Sequence, residues 1–316
     1  MNPDQTLSLV KSLLEERKIE LSVYSPFNFL HQIDPDKLCE ETFIKPLLQD
    51  ILTGICKVDE VIVKGHKHFF IYKNLKWDSD YFKFKVNRIE LILFNHNDLK
   101  VLNIALRRFI KDFIRPGEYF FINIPCEEII LIQAISDTGF RLVETRLNFY
   151  LSNIKKYQAQ RYPVRKANEE DIQILKKIAS RMRNKYDRVH ADSSFRTEQA
   201  DSYLGTFVEE SIKGFADMVI IPDIDGVEPF GFLAANNPVK VLGLNIARLV
   251  LAAVDNSNHK GWLFKLLSEV IYALKNKSTD YLTTITQASN KPAIHTWEKA
   301  GFKLAYTTHI FSFLNK

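Results

Sequence analysis

The sequence predicts an α/β (α+β) protein: two related units of mixed twisted sheet flanked by helices, behind a small helical segment. Three observations carry that expectation. Runs rich in β-branched and aromatic residues alternate with stretches of helical spacing along most of the chain. A length of 316 residues corresponds to about two domains. Finally, Asp137-Thr-Gly-Phe-Arg-Leu-Val-Glu-Thr145, followed by Phe149, is echoed by Lys299-Ala-Gly-Phe-Lys-Leu-Ala-Tyr-Thr307, followed by Phe311.

Residues 1–60 read as helical. Leu7, Val10, Leu13 and Leu14 hold helical spacing, and Leu38, Phe43, Leu47, Leu48 and Ile51 continue it over 36–53, with Pro46 breaking or kinking the second stretch. From 61 the pattern turns to strands at Val61-Ile-Val, Phe69-Phe-Ile-Tyr and Ile89-Glu-Leu-Ile-Leu-Phe. A helix over 98–114, a strand over 119–124, a helix over 127–138 stopped by Gly139, and a strand over 140–151 complete a first unit, 61–155. The polar segment 153–163 ends in Pro163 and is read as the boundary.

The second unit, 163–316, opens with the strand end Val164-Arg165. Asn168 caps a helix, with Asp171 three residues on and Ile172, Leu175, Ile178 and Met182 on one face. Beyond the polar stretch 183–200 come a helix over 200–212 and strands over 218–221 and 230–235 about the turn at Asp225-Gly226. The apolar run 249–254 reads as a buried strand. Leu263, Leu266, Leu267, Val270, Ile271 and Leu274 then give the most regular helical spacing in the chain. After a strand over 281–286, Asn290 caps a helix that has Pro292 in its first turn and stops at Gly301. Residues 302–314 read as a strand pair or one long strand.

Composition narrows the function classes. Hydrophobic residues at 46% and charged residues at 26% exclude a disordered or fibrous chain. Lys+Arg 43 against Asp+Glu 38 leaves +5, too thin an excess to predict a nucleic-acid partner. Cys39, Cys56 and Cys126 are odd in number, far apart and without a CxxC, which argues against a disulfide framework or thiolate zinc site and for a reducing, cytoplasmic setting. The first residues lack a basic stretch followed by an apolar one, and no apolar run reaches the ~18–20 residues of a membrane span. His66 and His68 sit in a Lys-rich turn, and no metal is expected there or elsewhere.

The first chemical signal is the order strand 249–254, loop 255–260, Gly261, helix 262–275. A strand feeding a helix N-terminus aims unpaired backbone N–H groups and the positive end of the helix dipole at the loop, where a phosphate fits. Asn258, His259 and Lys260 add hydrogen-bonding and cationic groups, and Gly261 lets backbone approach a ligand closely. The second signal is Asn290-Lys-Pro-Ala293-Ile-His-Thr-Trp297-Glu-Lys-Ala-Gly301-Phe302. Together the two segments resemble the GNAT superfamily of N-acetyltransferases. Its strand–loop–helix binds the acyl-CoA pyrophosphate, and its N-x-x-A-x-x-x-Y-x-x-x-G-F segment lines the other side of the cofactor. Trp77-Asp78-Ser79 with Tyr81, Arg188-Val-His190-Ala-Asp192, and Gly226 with Gly231-Phe232 look like landmarks of the bacterial TDP-fucosamine acetyltransferase-like group, which N-acetylates a nucleotide-linked 4-amino sugar. The similarity covers roughly 66–314; no family motif matches 1–60.

The resemblance implies a catalytic second unit and a degenerate first one. Acetyl-CoA would lie against Ala253, Val254, Asn258, His259, Lys260, Gly261, Trp262, Leu263, Asn290, Ala293 and Trp297. A backbone N–H of Ala253 or Val254 would meet the oxyanion. The base would be His190, Asp192 or a water chain ending on one of them, and Arg188 and His190 would meet an anionic acceptor. Two departures matter. Leu263 stands where the superfamily has Gly or Ala, and Trp297 where it often has Tyr. An indole is not an acid at usable pH, so Trp297 either walls the channel or is simply core. Trp77-Asp78-Ser79 is either a structural corner or cleft lining. The expected partner is a small-molecule amine, with no nucleic acid and no membrane; a homodimer is left open. The rival expectation is a non-catalytic acyl-CoA-binding or scaffolding protein, suggested by Leu263 and Trp297.

Overall fold

A computed structural model describes residues 3–255 and 259–316. The chain forms two units, one comprising Met1–Thr145 with Tyr306–Lys316 and the other Arg146–Ala305. In order, the elements that begin in unit 1 are α1 (Pro3–Glu16), α2 (Lys18–Leu21), α3 (Pro35–Cys39), α4 (Lys45–Leu52), β1 (Lys57–Val63), β2 (His66–Asn74), α5 (Lys76–Phe82), β3 (Val86–Leu93), α6 (Leu99–Phe113), β4 (Tyr119–Pro125), α7 (Ile129–Ser136) and β5 (Arg141–Leu151). Those that begin in unit 2 are β6 (Val164–Lys166), α8 (Ile172–Arg181), α9 (Arg188–Ala191), α10 (Thr197–Glu210), β7 (Met218–Pro222), β8 (Gly231–Val241), β9 (Leu244–Val254), α11 (Trp262–Lys275), β10 (Tyr281–Gln287), α12 (Lys291–Lys299) and β11 (Lys303–Leu314). The expected α/β class is what the chain adopts.

The two units repeat one topology. Unit 1 orders its strands β1-β2-β3-β4-β11, and unit 2 has β7-β8-β9-β10-β5 with β6 added beside β7. In each, antiparallel hairpins lead to a parallel pair joined through a helix: β3 with β4 across α6, and β9 with β10 across α11. In each, the last strand is antiparallel and is supplied by the other half of the sequence. From Arg146, β5 runs along β10 (Arg146↔Gln287 to Leu151↔Leu282), and the end of β11 runs along β4 (Thr308↔Pro125 to Leu314↔Tyr119). The echoed segments are the two helix stops before these strands. Gly139 and Gly301 take left-handed φ of 92° and 91°, a helix-ending conformation that suits glycine.

This exchange moves the boundary. The chain leaves the first unit inside β5, at Thr145/Arg146, and not in the polar segment 153–163, because Arg146–Leu151 is hydrogen-bonded into the second unit's sheet. The segment 1–60 is no separate body either. Val10, Leu13, Leu14, Leu21, Cys39, Ile44 and Leu47 cover one sheet face of unit 1 at Phe69, Ile71, Leu91 and Leu93. The other face is covered by α6 and α7 through Leu102, Leu106, Phe109, Leu131 and Ile135. Pro46 sits in the first turn of α4, where a missing N–H is tolerated, and the irregularity is the wide turn Glu40–Ile44 just before it.

Two further differences have local causes. No helical spacing marks 76–82; there α5 forms, and Ser79 Oγ donates to Leu75 O (2.8 Å) and accepts from Val86 N (2.9 Å). Ser79 is thus a structural corner. The strands over 230–235 and 249–254 extend into a hairpin of eleven residues each, closed by Leu242-Gly243 at φ of 48° and 88°. Two positive φ values in a row suit the right-handed twist of a hairpin turn. The intervening polar residues hid it.

Candidate active site

Unit 2 contains a fork. β9 pairs with β10 only at Ile246↔Tyr281, Ala247↔Leu282 and Arg248↔Thr283. Beyond Arg248 the two parallel strands part, β9 staying on β8 and β10 staying on β5. From Arg248 to Val254 the open edge of β9 spans about 20 Å at strand rise. A β-bulge at Val250, where Ala234↔Leu251 is followed by Ala235↔Leu249, shifts the strand's register inside the fork. Asp255 N donates to Phe230 O (2.8 Å), so ladder alternation sends the N–H of Ala253 toward β8 and those of Ala252 and Val254 toward the open edge. Of the two candidate oxyanion donors, Val254 is therefore the one on the fork.

Gly231 makes this end of β9 possible. A Cβ there would sit 2.9 Å from Val254 Cγ2 and 3.0 Å from Ala253 O and Val254 Cα. Only a glycine allows β8 to approach so closely.

The open edge leads to the N-terminus of α11, where Gly261 (φ 84°) is the cap and offers no side-chain oxygen. The first-turn N–H groups of a helix lack intrahelical acceptors, so this end attracts an anion. The equivalent helix in unit 1, α6, is closed by Asp98, whose carboxylate accepts from Val101 N (3.1 Å) and Lys100 N (2.9 Å). Those backbone bonds hold the Asp98 carboxyl below its ordinary pKa. A carboxylate thus already occupies that helix end.

The fork opens into a cleft of about 720 Å³ whose lining lies wholly in unit 2. Of the residues predicted from the sequence, Ala253, Val254, Leu263, Asn290, Ala293, Trp297 and Arg188 line it. Asn290 reaches it as the cap of α12, its Oδ1 3.4 Å from Ala293 N. Asn258 lies outside the described residues. His259, Lys260, Gly261 and Trp262 are not part of the lining. His259 stacks on Phe230 (3.5 Å between ring centres, 8° between planes) with Nδ1 3.2 Å from Asp255 O, Lys260 is exposed, and Trp262 is buried beneath Lys265.

His190, expected as a base, stands apart from the cleft. Its side chain is 2% exposed, and both ring nitrogens face carboxylates: Nδ1 to Asp187 (2.8 Å) and Nε2 to Asp201 (3.0 Å). Burial alone would lower its pKa, but the two carboxylates outweigh it and hold it above its ordinary value. With both ring nitrogens against carboxylates, neither faces the cleft. Asp187 also caps α9 through Val189 N and His190 N, and Arg183 binds Asp201 at 2.7 Å. The group is a rivet fixing the 183–190 segment. Asp192, 2% exposed and accepting from Ser194 N (2.9 Å), is likewise outside the lining.

The sequence reading missed most of the polar wall. Arg146, Arg183, Lys185 and Arg248 join Arg188, with Asp187 the single carboxylate among the described lining residues. Asn184 donates to Gln287 Oε1 (2.7 Å), tying the 183–190 segment to β10. Arg146 stands opposite Gln287 on β5, a placement that only the strand exchange could reveal. Among the described residues, no group of three or more His, Cys, Asp or Glu is disposed to hold a metal ion, and no helix is long and apolar enough to cross a membrane.

No family model matches the sequence, and no curated protein matches it. Solved structures do. The chain is similar to a GCN5-related N-acetyltransferase from Sphaerobacter thermophilus, with a TM-score of 0.53 and 11% identity over 93% of this chain and 90% of that one. A Drosophila protein aligns at a TM-score of 0.50 and 11% identity over 98% and 97% of the two chains. The glucosamine N-acetyltransferase region of a fungal multi-domain GH3 β-N-acetylglucosaminidase aligns at 0.50 and 10% identity over 78% of this chain and 33% of that one. Such low identities speak to fold alone. The chain has the mixed α/β fold of the GNAT N-acetyltransferases.

Proposed function

We propose that this protein is an acyl-CoA-dependent N-acyltransferase whose working half is unit 2, moving acetyl from acetyl-CoA to a primary amine. The observation that carries the reading is the fork: an open strand edge about 20 Å long that ends at a helix N-terminus without a side-chain cap. The pantetheine arm of a CoA thioester is extended and carries amides that suit such an edge, as an added strand would. Its pyrophosphate suits the first turn of α11.

In the reaction the amine nitrogen attacks the thioester carbonyl carbon. The N–C bond forms, the C–S bond breaks, and the electron pair leaves on sulfur. The N–H groups of Ala252 and Val254 are the donors available to the transient oxyanion. With His190 fully engaged and Asp187 its partner, the ammonium proton passes to water. Narrow access and correct orientation, more than acid–base residues, supply the rate.

For the acceptor we propose an anionic amine, most specifically the amino group of a nucleotide-linked sugar used in cell-surface glycan synthesis. Five basic residues against one engaged carboxylate in the lining favour a negatively charged partner, and one fold neighbour is a glucosamine N-acetyltransferase region. The setting is the cytoplasm, and the active form a monomer or homodimer.

A second reading, a non-catalytic acyl-CoA-binding protein, is favoured by Leu263 in the wall at the first turn of α11 and by the placement of His190 and Asp192 outside the cleft lining. Calorimetric titration with acetyl-CoA, followed by thiol release across neutral and anionic amines including nucleotide amino sugars, separates the two. Binding with thiol release supports the enzyme, binding without release for any amine supports the second reading, and no binding removes both.

A further inference from the structure

Three histidines gather at one corner of unit 1: His66 and His68 on β2, and His96 in the turn between β3 and α6. His68 is buried, and its Nδ1 lies 3.1 Å from Val61 O on the outermost strand, β1. Its Nε2 lies 2.7 Å from His96 Nε2, and His96 Nδ1 lies 3.1 Å from Asp98 N. The two ends of this row fix the protons. A carbonyl only accepts, so His68 Nδ1 carries hydrogen; a backbone amide only donates, so His96 Nδ1 is bare. Neutral rings then put a lone pair on His68 Nε2 and an N–H on His96 Nε2, which match at 2.7 Å. Every ring nitrogen is used once, and the row has no room for another proton. A further proton lands on His68 Nε2, against the His96 N–H, or on His96 Nδ1, against the Asp98 N–H. Either way one contact is lost.

The surroundings do not welcome that charge. His66 stands against His96 (4.8 Å between ring centres), Arg17 acts on His96 from the end of α1, and Lys64 acts on Asp98 from the β1–β2 turn. The near carboxylate, Asp98, is already engaged by Lys100 N and Val101 N, while Glu16 and Glu128 are held by Asn95 (3.1 Å) and Arg17 (3.0 Å). Burial foremost pushes His68 down to about 4 and lowers His96 as well. The same turn grips the N-terminal segment. Asn95 holds Glu16, and the Arg17 guanidinium lies 4.8 Å over the ring of Phe94, which packs on His96 (5.4 Å between ring centres). We propose that the His68–His96 pair is an acid-operated latch, holding residues 94–98 to β2 and to the N-terminal segment while both rings are neutral and releasing them when either ring takes up a proton. Release loosens the helices that cover Phe69, Ile71, Leu91 and Leu93.

Long-range ¹H–¹⁵N spectra of the full-length protein, labelled at histidine, read the tautomers directly. At about pH 7.5 His68 is expected as the Nδ1–H form and His96 as the Nε2–H form. Amide exchange, corrected for its intrinsic pH dependence, is then compared between about pH 7.5 and about pH 5. Acid is expected to quicken exchange about 10-fold at 94–98 and at 13–21, one hydrogen bond's worth, while β4 keeps its protection. H96F, at a part-exposed position, leaves His68 able to titrate with no ring opposite it, and is expected to abolish the acid response at 94–98. H66N leaves the row intact and is expected to respond as the parent does. His68 bearing its proton on Nε2 near neutral pH overturns the proposal, as does histidine titration that leaves exchange at 94–98 unchanged. Loss of the response in H66N but not in H96F also overturns it, by placing the sensor on the wrong ring. So does acid opening of β4 in step with 94–98, which is global unfolding and no latch.

Discussion

Replacing His190 with glutamine tests whether the doubly clamped imidazole is a rivet or a base. The imidazole makes contacts of 2.8 Å to Asp187 and 3.0 Å to Asp201, whose side chains are 17% and 23% exposed. A glutamine amide can donate to one of these carboxylates and must leave the other to solvent. Hydrogen bonds to charged groups are worth about 1.5–3 kcal/mol each, and partial exposure lets water recover some of that. The expected loss is about 2–3 kcal/mol. For a chain of 316 residues that lowers the thermal midpoint by roughly 3–5 °C. Calorimetry near pH 6 measures it, alongside kcat/KM for thiol release as a function of pH. The rivet predicts a lower midpoint and a pH profile of unchanged shape. A base predicts the reverse: stability preserved, a rate loss on the order of 10²-fold or more, and disappearance of one ionisation from the profile. That second pattern would refute the rivet and return His190 to the chemistry.

Other consequences can be measured with the same preparations. The raised pKa of His190 means its stabilising contribution is complete below the ordinary histidine value of about 6.5 and is lost as pH rises through the folded pKa. His68 behaves oppositely. Burial pushes it down to about 4, so the folded state is penalised progressively as pH falls from about 6.5 toward 4. Urea midpoints across pH should therefore fall on both sides, and H190Q should flatten only the alkaline side. Gly231→Ala drives a Cβ to within 3.0 Å of the Val254 backbone and is expected to cost about 1–3 kcal/mol and to weaken acetyl-CoA binding; retained affinity would separate β8 from the site. Asp98→Ala strips the cap from α6 and should cost about 0.5–2 kcal/mol in unfolding experiments while leaving acetyl-CoA affinity unchanged, since that helix end belongs to unit 1. A fall in affinity there would place cofactor in the wrong half.

What could be read in advance followed from local physics. The spacing Leu263 to Leu274 wrote α11, Asn290 and Gly301 bracketed α12, and the Gly139 and Gly301 echo foretold two equivalent strand–helix–strand endings. Residues contributed through the backbone, such as Val254, were legible because a strand before a helix fixes where N–H groups point. Side chains brought in by long-range pairing were not. Nothing near Arg146 says that it will stand opposite Gln287, and nothing near His190 says that Asp201, eleven residues on, will occupy its second nitrogen. The division into units was hidden for the same reason: a polar, proline-ended segment looks like a linker, whereas the two compact units divide within an unbroken strand whose pairing partner is more than a hundred residues away.

The exchanged strands also set an order of events during synthesis. Unit 2's flanking strand β5 has emerged before β10 is made, so that half can close as soon as its own residues arrive. Unit 1 is made first and finished last. Its β4, Tyr-Phe-Phe-Ile-Asn-Ile-Pro, waits for partner residues starting at Thr308, which follows Pro125 by 183 positions. At about 5–20 residues per second, an apolar strand edge stays unpaired on the nascent chain for roughly 10–40 s. The same crossing that makes each half depend on the other in the folded protein thus leaves the older half the more exposed to chaperones and to aggregation while it waits.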